Sequence, residues 1–472
     1  MRRRAQPTHT MPRKRKTKIQ TEPIRPIINA RAAGVDIGAR EIYAAVSPEL
    51  DAVKPVRCYA TFTEELKKLV EWFKSLGIAT VAMEATSVYW IPLAELLEEA
   101  GIEVCLVNPR HVKNVPGRKT DVLDCQWLQY LHSVGLLRAA FRPAAQVRAI
   151  RGLWRHRDSL VRQCAWHTQH MHKALDQMNL QIHHVIRDIT GKSGEAMVKA
   201  ILEGERDAKT LAALGDKRLK ASEKTLCAAL VGDYREEHLF CLRQAREGYE
   251  FTLGQIAAVD KELEKLHQAL AQAPQASEAG QAPETPPKRK PKPKSGCPVS
   301  YDAAGLLQAH LGVDLTSIPG INVNTAQTIY AEVGPDLSAF RSGKHFASWL
   351  CLNPNNKITG GRIISAQTKP CANRLRRALM MSAQGMWHAN NELGECARRL
   401  KAKLGGASGV VAMAHKLARM IYAVLTTRRA YDGERHRASA RRRKERTVDE
   451  LKRRAKKLGF ELTAIQQPME CY

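Results

Sequence analysis

The segment from residue 31 to 135 alternates short apolar runs of strand length with helical patterns, and two of those runs contain a single carboxylate. Asp36 lies in GVDIGAREIYAAV, which predicts a strand, a tight glycine turn and a returning strand. Glu84 ends the apolar run of TVAMEA. Because an unpaired carboxylate beside apolar strands is costly, the pattern indicates that both acids have a role beyond surface charge.

The order of the elements restricts the fold further. REIYAAV is the returning strand and VRCYATF predicts a third strand, while FTEELKKLVEWFKSLG has helical spacing and ends in glycine. TVAMEA and EVCLVN predict short strands on either side of the helix IPLAELLEEAG. Three initial strands followed by strand-helix-strand-helix favour an α/β ribonuclease-H-like (RuvC-like) sheet over a doubly wound one.

Two further acids lie in GRKTDVLDCQWLQYLHSVGLL. Asp121 and Asp124 are three residues apart at the start of a predicted helix, so both carboxylates project from one helix face. Four carboxylates from different elements can hold two Mg²⁺ ions, because hard cations prefer oxygen ligands and two such ions can drive phosphodiester cleavage. Surface charge, or a helix N-cap at Asp121, is the open alternative.

The formal net charge of +28 indicates a polyanionic partner, and nucleic acid is the expected one. A charged surface without nucleic acid is the alternative. One predicted helix carries arginines at spacings of 3, 4 and 7, with few acidic residues nearby in sequence. We interpret this stripe as a phosphate-binding face, with a solvated face as the alternative. The arginines are Arg148, Arg151, Arg155 and Arg162.

Eleven cysteines are scattered singly, without a CxxC pair, which predicts reduced thiols in a cytosol-like compartment. No apolar run approaches the roughly 18 residues that span a bilayer, and the N-terminus lacks the apolar core of a secretory signal, so we expect no membrane partner. Cys164, His167 and His170 recur at i, i+3 and i+6, which favours a polar helix face over a zinc site. No nucleotide-binding glycine pattern is present, so no nucleotide cofactor is expected.

A second segment suited to chemistry, LNPNNKITGGRIISAQTKPCANRLRRAL, contains three hydroxyls at Thr359, Ser365 and Thr368. A hydroxyl among glycine and arginine can approach a phosphate, and arginine can stabilise the charge of the transition state. A loop that only binds phosphate is the alternative. Basic residues beside the two candidate sites are expected to contact nucleic acid: Arg118, Lys119, Arg362, Arg374 and Arg376.

Composition divides the chain into six parts. The linker is rich in Ala, Gln, Pro and Lys and cannot bury apolar surface. Within the C-terminal domain, Pro319-Gly320 separates two helical patterns, which fits a helix-hairpin-helix or an ordinary turn. The predicted parts are a basic tail (1–30), an α/β ribonuclease-H-like domain (31–144), a helical module (145–272), the linker (273–298), a mostly helical C-terminal domain (299–430) and a basic helical tail (431–472).

Five motifs, in this order, resemble the IS110/IS1111 family of insertion-sequence transposases, the DEDD transposases. They are GVDIGAR, AMEATSVYW, VNPRHVKNVPGRKTDVLDCQWLQYLHSVGLL, SIPGIN and NPNNKITGGRIISAQTK, and the similarity covers most of residues 31 to 430. The resemblance implies a RuvC-like domain, a coiled-coil insertion and a C-terminal transposase domain. It also implies that Mg²⁺ binds at Asp36, Glu84, Asp121 and Asp124.

The resemblance further implies a site-specific recombinase that excises and inserts its element through a circular form. In at least some members a bridge RNA pairs with donor and target DNA. The family uses a catalytic serine, but that position falls on Thr359 here, and Ser365 follows six residues later. Both remain candidates, although the β-methyl group of threonine hinders in-line approach.

Cutting and exchanging two strands at two sites also implies a dimer or tetramer. The alternatives are a RuvC-like Holliday-junction or structure-specific nuclease that uses water, and a non-catalytic RNA/DNA-binding protein.

Overall fold

The computed structural model describes residues 26–109, 121–272 and 297–463, without the side chains of residues 121–123, 435, 436, 440 and 444. Arg118, Lys119 and most of the predicted linker therefore lie outside the described residues, as do residues 1–25 and 464–472. The chain divides into two compact units, Met1–Phe141 and Arg142–Tyr472.

A five-stranded mixed sheet organises the first unit. The elements of this unit are β1 (Ala32–Ile37), β2 (Glu41–Ala45), β3 (Val56–Ala60), α1 (Thr63–Ser75), β4 (Thr80–Glu84), α2 (Trp90–Glu99), β5 (Glu103–Val107) and α3 (Asp121–Ser133). The strand order in the sheet is β3-β2-β1-β4-β5. The first three strands are antiparallel neighbours, whereas β4 pairs parallel to both β1 and β5. The predicted order of strands and helices is confirmed, and the sheet is compatible with a ribonuclease-H-like domain.

The two faces of this sheet are covered by different helices. Val35 and Met83 belong to the apolar cluster shared with α1 and α2. Ala82, on the opposite face, packs with Leu128 and Leu131 of α3. Since side chains alternate across a strand, residues 34, 36, 82 and 84 share the face that α3 covers.

Two long antiparallel helices form the base of the second unit. These helices, α4 (Ala145–Gln177) and α8 (Glu236–Gln272), pack along much of their length. A buried ion pair joins Arg157 of α4 to Asp260 of α8. The coiled-coil assignment of this region stays a prediction. Along the chain, three short helices separate α4 from α8: α5 (Lys192–Leu202), α6 (Ala208–Ala213) and α7 (Glu223–Ala229).

The C-terminal part of the second unit is mostly helical. Its elements are α9 (Ala303–Leu311), α10 (Val323–Val333), α11 (Gly343–Trp349), β6 (Lys357–Thr359), β7 (Arg362–Ser365), α12 (Arg374–Gly385), α13 (Glu392–Leu404), α14 (Gly406–Thr427) and α15 (Glu434–Lys457).

This part is centred on the apolar helix α14. Of the described helices, only α14 is long and apolar enough to cross a membrane, yet 50% of its apolar window is buried. It packs against α11, α12 and α13, as a core helix does.

Candidate active site

Two of the predicted acids lie side by side at the carboxyl edge of the first unit's sheet. In the parallel β1–β4 ladder, Val35 pairs with Met83, so Asp36 and Glu84 are the next residues along. Neighbours in register on parallel strands point to the same face. Both residues are half-buried, and both lie on the face that α3 covers.

Helix α3 runs antiparallel to these strands. Near its end, the His132 ring nitrogen Nε2 lies 2.9 Å from the Thr80 hydroxyl at the start of β4. One turn earlier, the Gln129 amide donates a hydrogen bond of 3.4 Å to the carbonyl of Ala32 at the start of β1. The first turn of α3 therefore lies toward the carboxyl edge of the sheet, and this turn contains Asp121 and Asp124.

Gly34 allows this close approach. A Cβ atom at Gly34 would lie 2.2 Å from the backbone nitrogen of Gln129 and 2.4 Å from the carbonyl oxygen of Cys125. These contacts are with backbone, which cannot rotate away. The absence of a side chain at this position therefore lets α3 pack directly on β1, two residues before Asp36.

The buried thiol of Cys125 is influenced by the charges of both Asp36 and Asp124. This buried thiol has its pKa raised to about 12, first by burial and also by the negative charges of Asp36 and Asp124. One carboxylate comes from a strand and the other from a helix. Cys125 consequently stays protonated at neutral pH and is no candidate nucleophile.

The donor atoms at this edge suit a hard divalent cation. Asp36 and Glu84 supply carboxylates from adjacent strands, and Asp124 supplies an exposed one from α3. Among the side chains that the structure describes, no three His, Cys, Asp or Glu residues are close enough to hold a metal ion. The side chain of Asp121 lies outside that description. The structure therefore shows which strand or helix holds each of the four predicted acids, and it describes the side chains of Asp36, Glu84 and Asp124.

The hydroxyls at 359 and 365 lie on a β-hairpin of the second unit. Strands β6 and β7 are joined by Gly360 and Gly361, whose φ angles are +55° and +76°. Positive φ at both turn residues is typical of a type I′ hairpin, and glycine adopts it without strain. Thr359 is exposed and Ser365 half-exposed.

The pairing register gives the hairpin two chemically different faces. Thr359 pairs with Arg362, and Lys357 pairs with Ser365 across a register shift. Since paired residues share a face, both hydroxyls lie on the same side as two cations. The opposite side carries isoleucines that are 59% to 69% exposed, namely Ile358, Ile363 and Ile364.

Two arginines that are predicted to contact nucleic acid donate hydrogen bonds to protein groups. Arg376 donates to the Thr368 hydroxyl at 2.9 Å and to the Lys369 carbonyl at 3.0 Å, at the base of the hairpin. Arg374 donates to Asp158 of α4 at 2.8 Å. These contacts fix the start of α12 against the hairpin and α4, a role that a local sequence pattern does not reveal.

The arginine stripe of α4 also makes ion pairs, although few acidic residues lie near it in sequence. Arg151 and Arg155 both pair with Glu332 of α10, at 3.1 Å and 2.7 Å. Glu332 has only 2% of its side chain exposed. Arg162 pairs with Asp158. Arg151 and Arg155 therefore help to attach α4 to α10, because an acid distant in sequence meets them in the fold.

Two regions of the chain match models of known protein families. A model for DEDD transposases of the IS110 type matches residues 33–180, and one described as "Transposase IS116/IS110/IS902 family" matches residues 314–397. A "Putative transposase y4pF/y4sB" of Sinorhizobium fredii is 25% identical over 77% of this chain and 77% of its own length. A "Probable family 20 transposase" of Pseudomonas aeruginosa is 24% identical over 76% and 88%.

A shorter match, 38% identical over 18% of this chain and 21% of the relative, is to the "Insertion element IS110 uncharacterized 43.6 kDa protein" of Streptomyces coelicolor. The first family match contains the four acids and the second contains the hairpin. A mixed sheet with acids at its carboxyl edge, in a chain with these matches, defines a transposase of the DEDD class. The chain belongs to the IS110 family of insertion-sequence transposases.

Proposed function

We propose that this transposase is a DNA recombinase that excises and inserts its insertion sequence with an acidic metal site and a hydroxyl nucleophile. The observation that carries the proposal is the placement of Asp36 beside Glu84, under the first turn of α3 that brings Asp124 and Asp121. Carboxylate oxygens are the ligands that hard divalent cations prefer. A divalent cation held at this edge would also serve phosphodiester chemistry.

Asp36, Glu84, Asp121 and Asp124 would hold Mg²⁺. The ion supplies Lewis acidity and neutralises charge that develops on the phosphate oxygens. Half-burial of Asp36 and Glu84 keeps their carboxylates in place, and Gly34 holds α3 close enough for its acids to contribute. Asp124 is exposed, so it can meet a ligand that approaches from solvent.

The hairpin supplies the nucleophile in this proposal. The hydroxyl oxygen of Thr359 or Ser365 attacks phosphorus and forms a new P–O bond, while the bond to the leaving DNA oxygen breaks. The proton lost by the hydroxyl is balanced by the one that the departing DNA oxygen takes up. A DNA hydroxyl then attacks the protein–DNA ester and restores the side chain. The ester conserves bond energy, so rejoining needs no ATP.

The cations on the same face support this role. Lys357 and Arg362 lie beside the hydroxyls by strand pairing, so their charges accompany any phosphate that reaches Thr359 or Ser365. Fixed positive charges at the position of developing negative charge lower the barrier to phosphoryl transfer. Arg376 holds the base of the hairpin and acts as a positioning residue.

The partners are donor and target DNA, with a bridge RNA that selects both by base pairing. We propose that α4 and α8 form the coiled coil that assembles a dimer or tetramer, because two sites must be cut together. All ten cysteines in the described part of the chain are free thiols, which suits the bacterial cytoplasm and the nucleoid as the place of action.

The test is a nicked suicide DNA substrate that traps any protein–DNA ester, followed by mass spectrometry of the DNA-linked peptide. We expect linkage at Thr359 or Ser365, lost in the corresponding Thr359→Val or Ser365→Ala variant. Thr368→Val should keep the linkage at the same residue and only slow its formation, since the Thr368 hydroxyl accepts a hydrogen bond from Arg376 at the base of the hairpin. Metal-dependent multiple-turnover cleavage that survives the Thr359→Val/Ser365→Ala double variant would establish a nuclease that uses water.

A further inference from the structure

Helix α15 lies beyond the regions that match the family models, which end at residue 397. It contains twelve lysines and arginines against four acidic residues. Every described side chain on it is exposed except Val448 and Ala455, which are half-exposed. A helix of 24 residues with so little burial gains almost nothing from packing, so its composition indicates a surface that binds something else.

One face of α15 carries a row of cations at spacings of 4, 7 and 4, which repeat on a single helix face. The row, which we call the α15 stripe, consists of Arg442, Arg446, Arg453 and Lys457. None of these four has an ion-pair partner among the residues that the structure describes. This contrasts with α4, where Glu332 and Asp158 neutralise three of the four arginines.

The opposite face is different in character. Val448, Leu451, Ala455 and Leu458 follow one another at spacings of 3, 4 and 3, with Leu451 47% and Leu458 75% exposed. Two copies could pair through such a seam, but it covers only about three turns, shorter than the 12 to 15 residues that isolated helices need for stability. The charge that two copies would bring together also opposes pairing.

We propose that α15 is a DNA-binding helix whose stripe contacts the backbone phosphates of duplex DNA. The inference rests on the proposed function, since a recombinase must hold duplex DNA on both sides of its cleavage site. The fit favours DNA over duplex RNA. A helix about 10–12 Å wide enters the major groove of B-DNA, which is about 12 Å wide, whereas the major groove of A-form RNA is too deep and narrow.

The experiment measures binding of the full-length protein to duplex DNA of arbitrary sequence by fluorescence anisotropy across a KCl series. Counterion release predicts a log–log slope of about −0.9 per phosphate neutralised. The stripe variant Arg442→Gln/Arg446→Gln/Arg453→Gln/Lys457→Gln should reduce the slope by about 3 to 4, and weaken binding at least tenfold at low salt. A duplex RNA of the same sequence should show a smaller loss.

The control removes the same charge from another surface. Lys209, Lys217, Lys220 and Lys224 are exposed lysines on α6, on α7 and in the segment between them, and their change to Gln should alter the slope by less than about 1. Equal loss in both variants would overturn the proposal, because net charge alone would then explain binding. So would competition by phosphatidylglycerol vesicles that matches that of DNA, or a change of oligomeric state without a change of slope.

The suicide-substrate assay at low salt separates this inference from the function on which it rests. A stripe variant that still forms the protein–DNA ester but has lost salt-sensitive binding supports both. An ester formed by a stripe variant with an unchanged slope overturns the role of α15 alone. If the stripe variant has a reduced slope but even the unaltered protein never forms the ester, the recombinase mechanism is overturned and the DNA-binding role of α15 remains.

Discussion

At the scale of single residues, the candidate metal site depends on which side chains are absent as much as on those present. Asp36 and Glu84 share the α3 face with Gly34 and Ala82, two residues earlier on each strand. Small residues at those positions bring the helix onto the strands, and the helix then brings its acids to the carboxylates. The acids could be selected from sequence because each interrupts an apolar run, but the requirement for Gly34 could not.

Gly34→Ala tests this packing. The new Cβ would meet the backbone of Gln129 and Cys125 within 2.4 Å, so α3 must shift. Overpacking of this kind costs about 1–3 kcal/mol, and we expect a lower free energy of unfolding for the first unit together with weaker metal-dependent activity. The measurement is urea unfolding followed by circular dichroism.

Gly152→Ala is the matched control for this substitution. Gly152 lies within α4, where nothing is within 4 Å of the added methyl group. Alanine in a helix interior should leave stability unchanged or raise it by about 0.5–1 kcal/mol. Equal destabilisation by the two variants would contradict the close-approach role of Gly34.

Asp36→Asn removes a charge from the proposed metal site but keeps its shape. We expect DNA cleavage and ester formation to fall by orders of magnitude, while the protein remains folded. Isothermal titration should show weakened Mg²⁺ binding. Glu49→Gln, at an exposed acid between β2 and β3, should retain both properties. Near-normal cleavage by Asp36→Asn would remove this residue from the metal site.

At the scale of elements, periodicity predicted the strands of the first unit, the long helices and the restart after the linker. It could not predict which arginines face solvent. Arg155 meets Glu332 across 177 residues, and Arg374 meets Asp158 across 216. Such partners depend on tertiary packing, so a stripe on one helix is compatible with a protein interface or a nucleic-acid surface. The hairpin gives no strand signal in the sequence because its strands are only three and four residues long.

Arg376 gives the hairpin its testable property as an element. An isolated two-stranded hairpin is marginally stable, and the hydrogen bonds from Arg376 to Thr368 and Lys369 attach its base to α12. Arg376→Gln should increase amide hydrogen exchange across residues 354–368 and slow ester formation, with little change in the affinity for DNA.

The control for the hairpin is Arg377→Gln, one residue further along α12. No side-chain hydrogen bond from Arg377 is found in the described part of the chain, so its loss should leave exchange at residues 354–368 unchanged. If the Arg376 variant lost DNA affinity in proportion to activity while exchange stayed constant, the residue would be a phosphate contact, as the sequence first indicated.

At the scale of the whole molecule, the candidate metal site and the candidate hydroxyl nucleophiles belong to different units. Composition alone indicated the strongly basic character, since the +28 charge requires no knowledge of the fold. The sequence does not indicate the polar cluster in the core of the second unit. There the rings of His267 of α8, His310 of α9 and Tyr330 of α10 pack together with centroids 5.1 to 5.4 Å apart. Histidines distant in sequence give no local signal of such a cluster.

This cluster predicts a pH dependence of stability. Burial, with the neighbouring His310, lowers the pKa of His267 to about 4, and burial also lowers the pKa of His310. In the unfolded chain both rings titrate near pH 6.5. Between those values the unfolded state binds more protons, so stability is complete above pH 6.5 and falls as pH decreases toward 4. For His267 the loss amounts to at most about 3 kcal/mol.

Calorimetric unfolding of the full chain between pH 7.5 and 4.5 should therefore show the second unit's transition moving to lower temperature as pH falls, by about 2–4 °C per kcal/mol. His267→Gln removes the titrating ring, keeps a polar group beside Gln327 and should flatten that dependence. The exposed His156 has no such burial, so His156→Gln should leave the dependence as it is. A wild-type transition that does not move across this pH range would mean that water or a proton already reaches the cluster in the folded state, because only an excluded proton produces the linkage.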